Sequence, residues 1–263
     1  MKKRVSVFLS VGLLLLFCVA SAFAQPSLLD EIQKRGKLQV GMFLQFPPTE
    51  FRDPQTREPK GLEVDIAGLL AKDLGVKLEI IDMEWDAIIP GLLAKKYDVI
   101  IASMARTPKR NLSIALTSNN LETFSVMGLV SKDDTRTTIE EFNKPGVVVT
   151  SLMGSTTDAT AKRVFPKATL KSMQMQPAVL EVETGRADIV LVNNIFSYEY
   201  LRKNPGKLKI VFEHDPLAIE PTAIGLRKGD QIFLNWLENW IQFQYDQKNF
   251  QPLFEKWFVR GGE

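Results

Sequence analysis

The strongest constraint on this chain is an alternation, run twice, of short apolar strands with helices that carry one apolar face. Residues 37–41 read as a strand ending at Gly41, and 64–74 as a helix with Val64, Ala67, Leu70, Ala71 and Leu74 on one side. Gly75 stands where a helix closes in a left-handed turn. A strand over 77–81, a helix over 86–95 and a strand over 98–102 follow. This βαβαβ order predicts a mostly parallel sheet covered by helices. After Leu121 the pattern restarts, with strands over 147–150 and 188–192 and helices over 157–164 and 177–184. From Asp230 the chain reads as helical and aromatic, through Phe233, Trp236, Trp240, Phe243, Phe250, Phe254 and Trp257. Two α/β units without a repeat or flexible linker suit two lobes joined by crossing strands.

Composition supports a packed protein: 45% of the 263 residues are hydrophobic and 24% charged, enough apolar surface for a real core. The N-terminus belongs to another regime. Lys2, Lys3 and Arg4 precede a largely apolar run from Val5 to Ala20, and Ala22-Phe23-Ala24 offers small residues for cleavage. Residues 1–24 therefore read as a secretory signal peptide cleaved after Ala24. The alternatives are a retained anchor, for which the apolar run is short, and a lipid on Cys18, for which Phe17 is a poor preceding residue. The segment holds three basic residues and no acid, so the rest has 30 basic and 31 acidic side chains, a net charge of −1. Near-neutral charge without a Lys/Arg block gives no footprint for nucleic acid or anionic membrane. Cys18 is the only cysteine and leaves with the signal, and His214 is the only histidine. A structural zinc site or a Cys/His nucleophile pair is thereby excluded, and no cofactor or metal is expected.

Several segments could hold a ligand. Thr107-Pro108-Lys109-Arg110 follows the 98–102 strand, with threonine suited to cap a helix and proline to its first position. Amides at a helix start attract anions, and Arg110 would sit at the third helical position with a fork that fits a carboxylate. Taken alone, this is equally a surface arginine on an ordinary helix start. Gly154-Ser155-Thr156-Thr157-Asp158 is a second helix start of similar make, which by itself signals only a cap. Phe46-Pro47-Pro48 and Trp85 follow expected strands, where α/β proteins gather ligands, though each could equally be core.

Together these residues resemble a known family. Leu38-Gln-Val-Gly41, Phe46-Pro-Pro48, Gly61-Leu-Glu-Val-Asp65, Trp85-Asp-Ala-Ile-Ile-Pro-Gly91, Tyr97-Asp98 and Met104-Ala-Arg-Thr-Pro-Lys-Arg110 are similar to the bacterial extracellular solute-binding proteins of family 3, which serve amino-acid ABC transporters. Gly154-Ser-Thr156, Gly185-Arg-Ala-Asp188 and Phe254-Glu-Lys-Trp-Phe258 continue the likeness across nearly all of the mature chain. The resemblance implies an α/β, two-lobed periplasmic-binding-protein fold (type II) with two hinge strands and a ligand between the lobes. It assigns residues 25–121 plus 223–263 to lobe 1 and 122–222 to lobe 2. Phe43, Phe46 and Trp85 then match ligand-facing aromatic positions, and Ser103, Ala105 and Arg110 the carboxylate seat, where Ala105 can offer only its backbone amide. Ser155 and Thr156 match second-lobe contacts. The family commonly places an aspartate on the ligand's α-ammonium, where this chain has Asn193, and the acid that often lies near the Phe43 position in cationic binders is missing. Burying an ammonium without a counter-charge is costly, so a basic amino acid is disfavoured, and a standard α-amino acid is expected only if an acid such as Asp158, Glu122 or Glu220 supplies the charge from another direction.

The resemblance thus implies a monomeric periplasmic protein that captures an amino acid or related small carboxylate by hinge closure and hands it to an ABC permease. Two other functions share the fold. A cyclohexadienyl (prephenate or arogenate) dehydratase needs a general acid in the cleft, yet the position where such relatives carry a glutamate falls on Phe196. No enzyme is therefore expected, and His214 reads as a hinge or surface residue. A chemosensory role would need a separate membrane partner.

Overall fold

The structure is a computed structural model that describes residues 27–258; the expected signal segment 1–24, with Cys18, lies outside them. Two sheet-containing lobes are present, joined by two strands that cross between them.

Helix α1 (Leu28–Arg35) opens the described chain, capped by Ser27 and closed by Gly36 at φ 70°. The first sheet grows from β1 (Lys37–Met42), which pairs in parallel with β5 (Lys77–Asp82) and β6 (Val99–Ile100). Between β1 and β5, the short strands β2 (Gln45–Phe46), β3 (Glu50–Arg52) and β4 (Pro59–Lys60) form a small antiparallel sheet unforeseen in the sequence. Helix α2 (Leu62–Asp73) then crosses over the larger sheet. Its start depends on Gly61, whose φ of 133° suits glycine and whose missing Cβ would lie 2.2 Å from the Thr49 carbonyl oxygen. The sheet is only partly parallel. The chain returns from the second lobe through β14 (Gly225–Leu226), which runs antiparallel between β6 and β7 (Ala115–Leu116).

The helix expected over 86–95 divides into a 3₁₀ turn (Trp85–Ala87) and α3 (Ile88–Leu93). The helix expected at Thr107 is present as α4 (Pro108–Asn111), where Thr107 Oγ1 accepts from the Arg110 amide. It is four residues long, too short for a substantial helix dipole.

The second sheet is built on β8 (Thr123–Ser131), β9 (Val148–Leu152), β10 (Thr169–Met173), β11 (Ile189–Asn193), β12 (Leu208–Val211) and β13 (Ala218–Pro221). Its order is β10-β9-β11-β8-β12, with β13 also pairing β8. The β9, β10 and β11 strands are parallel, and everything on β8 is antiparallel. Helices α5 (Ile139–Phe142), α6 (Thr156–Val164), α7 (Met175–Glu183) and α8 (Asn194–Lys203) belong to this lobe. Phe142, Phe165 and Ile189 fill one face of the sheet, and Leu129, Val179 and Val190 the other.

The last helices, α9 (Gln231–Asp246) and α10 (Gln251–Trp257), return to the first lobe. Phe233, Leu237, Trp240, Ile241 and Phe250 pack with Ile32, Val40, Ile66 and Leu70 in one core. Each such side chain contributes about 1.5–3 kcal/mol on burial. Polar ends of this aromatic tail are satisfied: Trp240 Nε1 donates to Asp73 at 2.8 Å and Tyr245 Oη to the Leu121 carbonyl at 2.6 Å.

The two crossings run side by side. Leu121 N donates to Thr222 O at 3.1 Å, Thr222 N to Glu122 O at 2.9 Å, and Glu122 N to Thr222 Oγ1 at 3.1 Å. Ala105 bridges to Thr222, so the loop that leads toward Arg110 is stitched to the hinge.

Candidate functional site

A small cavity of about 50 Å³ lies between the lobes, with room for a few water molecules. Its wall takes Phe43, Phe46, Trp85 and Ser103 from the first lobe. The second lobe supplies Ser155, Thr156, Asn193 and Glu220. All of these except Glu220 are among the candidate site residues of the sequence. Ala105 and Arg110 lie just outside this wall. Ala105 faces a neighbouring opening that it shares with Thr156 and Glu220, and Arg110 sits behind Trp85.

The lobes meet here. Phe46 stacks on Phe196 of α8, with ring centroids 5.3 Å apart and planes 27° apart, and Phe196 stacks in turn on Tyr200. Phe43 meets Trp85 edge-on at 6.1 Å. The Phe46 face that the resemblance assigns to a ligand is thus covered by a ring of the other lobe. A ligand larger than the cavity enters only when the lobes part. A broad hollow elsewhere, between α8 and Trp257, is larger at about 560 Å³. Its polar groups already pair with each other, Arg202 with Glu199 and Tyr198 with Glu213.

Arg110 is held by two first-lobe partners. Its Nη1 donates to the Ala105 carbonyl at 2.7 Å, and its guanidinium lies 5.2 Å from the Trp85 ring centre. Burial lowers its pKa to about 10, partly offset by the negative field of Glu220 across the cleft. A buried guanidinium with unused donors attracts a carboxylate. Ala105 therefore offers a carbonyl to Arg110, where the resemblance gave it only an amide to a ligand.

Ser103 sits beneath the aromatic rings at φ 48°, a left-handed conformation uncommon for serine. Two glutamates hold it there: its amide donates to Glu63, and its Oγ to Glu50 Oε2 at 3.1 Å. With Glu122 from the hinge, these form a buried acidic cluster. Burial raises Glu50 and Glu122 well above the usual carboxylate range, and each is raised further by Glu63. Burial also raises Glu63, to about 7, although Glu50 and the Ser103 amide donate to it. Neither carboxyl oxygen of Glu122 finds a hydrogen-bond partner. A neutral, proton-bearing cluster is the arrangement that fits.

On the second lobe, Ser155 caps α6. Its Oγ accepts from the Asp158 amide at 3.1 Å and donates to the Leu152 carbonyl at 2.6 Å. Asp158 is spent locally on Ser151, Ser172 and Lys162. Burial alone would raise its pKa, but Lys162 and the hydroxyls outweigh that and hold it low. Of the three acids that might answer a ligand's ammonium, Asp158 and Glu122 are thus absent from the cavity wall, and Glu220 is on it. Asn193 caps α8: its Oδ1 accepts from the Phe196 amide at 2.8 Å. Its amide carries no charge, so unlike an aspartate it cannot neutralise an ammonium. His214 is exposed in a bend, away from the wall.

Sequence reading missed Glu50, Glu63, Phe124, Leu152 and Met175. A signal for Glu63 was present: it falls one turn before Ile66 and Ala67 and two before Leu70, on the buried stripe of α2. The others owe their place to the docking of two lobes, which local periodicity does not encode.

Residues 38–260 match the family described as bacterial extracellular solute-binding proteins, family 3. The L-cystine-binding protein TcyJ of Escherichia coli (strain K12) is 25% identical over 238 residues, 90% of this chain and 88% of that protein. Among solved structures, the ancestral amino acid-binding protein AncCDT-1, described as a precursor of cyclohexadienyl dehydratase, superposes with a TM-score of 0.81. It is 34% identical, over 88% of this chain and all of that one. A binding component of an ABC transporter from Wolinella succinogenes, complexed with lysine, reaches 0.80 at 31% identity, over 86% of this chain and 97% of that one. Curated relatives include further arginine- and cystine-binding proteins. Among the described residues, no helix is long and apolar enough to cross a membrane, and no cluster of side chains suits a metal ion.

Proposed function

The chain belongs to the bacterial extracellular solute-binding proteins of family 3, and from that premise we propose that it captures an amino acid between its lobes and delivers it to an ABC importer. One observation carries the reading: both lobes wall one cavity, with aromatic rings around it and the buried guanidinium of Arg110 beside it. The ligand's carboxylate pairs with Arg110 and, once the serine hydroxyl turns from Glu50, with Ser103; the ligand's side chain lies among Phe43, Phe46 and Trp85, and Ser155, Thr156 and Asn193 meet it on closure. The lobes are 25–121 plus 223–263 and 122–222, moving about the paired crossings at Leu121–Glu122 and Thr222. After cleavage of 1–24 the protein works in the periplasm as a monomer without cofactor, and its closed form is what the permease recognises.

The ancestral neighbour described as a dehydratase precursor keeps an enzymatic reading in view. Against it stands Phe196, which occupies the expected general-acid position and is buried in the Phe46–Tyr200 stack, where it can donate no proton. We therefore read the chain as a binding protein and not as an enzyme.

A thermal-shift screen of the mature chain against amino acids, dicarboxylates and cyclic acids tests this. A ligand at about 100 times its Kd stabilises the folded state by roughly 2.7 kcal/mol. Stabilisation by α-amino acids supports the proposal, stabilisation only by acids without an ammonium contradicts the amino-acid part, and silence contradicts it all. Turnover of prephenate or arogenate would overturn the non-enzymatic reading.

A further inference from the structure

Of the three acids that the sequence offered for a ligand's ammonium, one lies in the cleft. Glu220 lies on β13, two residues before Thr222 of the hinge pairing, and it lines both the cavity and the adjoining opening. It faces Arg110 from the opposite lobe, each within the other's field, yet the two make no direct ion pair. Half-buried opposite charges that attract without touching leave a gap that something of mixed charge can fill. Thr156, on the first turn of α6, is its neighbour in the wall.

Every other acid that could serve the same end is either committed or off the cavity wall. Asp158 is bound by Lys162 and two serines. Glu122 lies beneath the hinge, off the wall, and Glu63 is turned to Ser103. Glu50 is on the wall but accepts from Ser103 and shares its buried cluster with Glu63. Asn193, where the resemblance would have an aspartate, carries no charge and spends an oxygen lone pair on capping α8. The acid on the cavity wall outside the buried cluster is Glu220.

We propose that Glu220 holds the α-ammonium of the ligand, so that Arg110 and Glu220 bracket a zwitterionic α-amino acid from opposite lobes. The inference rests on the amino-acid reading above and adds its specificity element. It also gives closure a driving force: carboxylate bound on lobe 1 and ammonium on lobe 2 make the ligand itself the bridge between the lobes. Burial raises the Glu220 carboxyl above its ordinary range, with Thr156 and Arg110 pulling it back. An arriving ammonium pulls in the same direction and favours the ionised form.

The test is calorimetric titration at neutral pH of wild type, Glu220→Gln, Glu50→Gln and the double variant Glu220→Gln/Asn193→Asp. The probes are the standard L-amino acids and their 2-hydroxy-acid counterparts, which lack the ammonium. Glu220→Gln should lose amino-acid affinity by about thirtyfold or more, the range for removing one partner of a buried charge pair, and leave the 2-hydroxy acids within a few fold. Asn193→Asp should restore amino-acid binding in that background by returning a carboxylate to the other wall. Unchanged amino-acid affinity in Glu220→Gln, an equal loss for both probe classes, or a loss confined to Glu50→Gln would each overturn the proposal. Should Glu220→Gln not fold, Glu220→Ala carries the same comparison. Wild type that binds 2-hydroxy acids but no amino acid defeats the amino-acid reading and this inference together. Amino-acid binding indifferent to Glu220 defeats the inference alone.

Discussion

Arg110 and Asn193 show how far a single side chain carries the account. Arg110 has two lobe-1 partners and spare donors, so Arg110→Ala should cost roughly 2–5 kcal/mol of ligand affinity. Titration calorimetry reads this directly, and a loss below about tenfold, some 1.4 kcal/mol, removes Arg110 from the site. Asn193→Asp in the otherwise wild-type chain should improve binding of α-amino acids, and its fold should tolerate the change because aspartate caps a helix as well as asparagine does. Calorimetry with one amino acid before and after the substitution decides it. Arg110 stood out at a capped helix start, whereas Ser103 and Asn193 were named only through the family resemblance. Glu220 was legible only as one of three acids. Asp158 and Glu122 looked equivalent to it until their neighbours, contributed by distant segments, were in place.

At the scale of elements, sequence spacing located β1, α2, β5 and α6 to within a residue or two, because their periodicity is strong and their ends carry glycine or hydroxyl caps. It found most of α2's buried face, since Ala67, Leu70, Ala71 and Leu74 lie inward and Val64 partly so, but it left out Leu62, Glu63 and Ile66. The short β2, β3 and β4 were beyond it, because two or three residues hold no period to read, whereas the single-turn α4 was signalled by its Thr107 cap and Pro108. The antiparallel β14 was beyond it as well, because its partners are fixed by the chain's return from the other lobe. The start of α2 gives a sharp test. A methyl group at Gly61 meets the Thr49 carbonyl in a backbone conformation unsuited to alanine. Gly61→Ala should lower the melting temperature by several degrees, corresponding to a cost of at least ~1 kcal/mol, whereas Gly36→Ala, with open space around it, should cost less.

For the whole molecule, the acidic cluster couples the hinge to the floor of the cleft. Glu50 and Glu63 belong to the first lobe, and Glu122 to a crossing strand whose backbone pairs with Thr222. These folded-state carboxyls bind protons more tightly than in the unfolded chain, where glutamates titrate near 4.5. Their contribution to stability is therefore full below about pH 4.5 and falls as pH rises through about 7, the Glu63 value, and beyond. Glu122→Gln, which keeps the neutral shape, should flatten the decline of melting temperature between pH 5 and 8 relative to wild type. An unchanged slope would mean that the cluster is ionised in the folded state at little cost. The same scale holds the central claim, that an amino acid draws two lobes together about the hinge. Small-angle X-ray scattering of the mature chain with and without a saturating amino acid from the thermal screen measures it most directly. The account predicts that the ligand-free chain is more extended than the structure described, and that ligand contracts it to a profile matching the closed lobes. Tight amino-acid binding with an unchanged radius of gyration would contradict it.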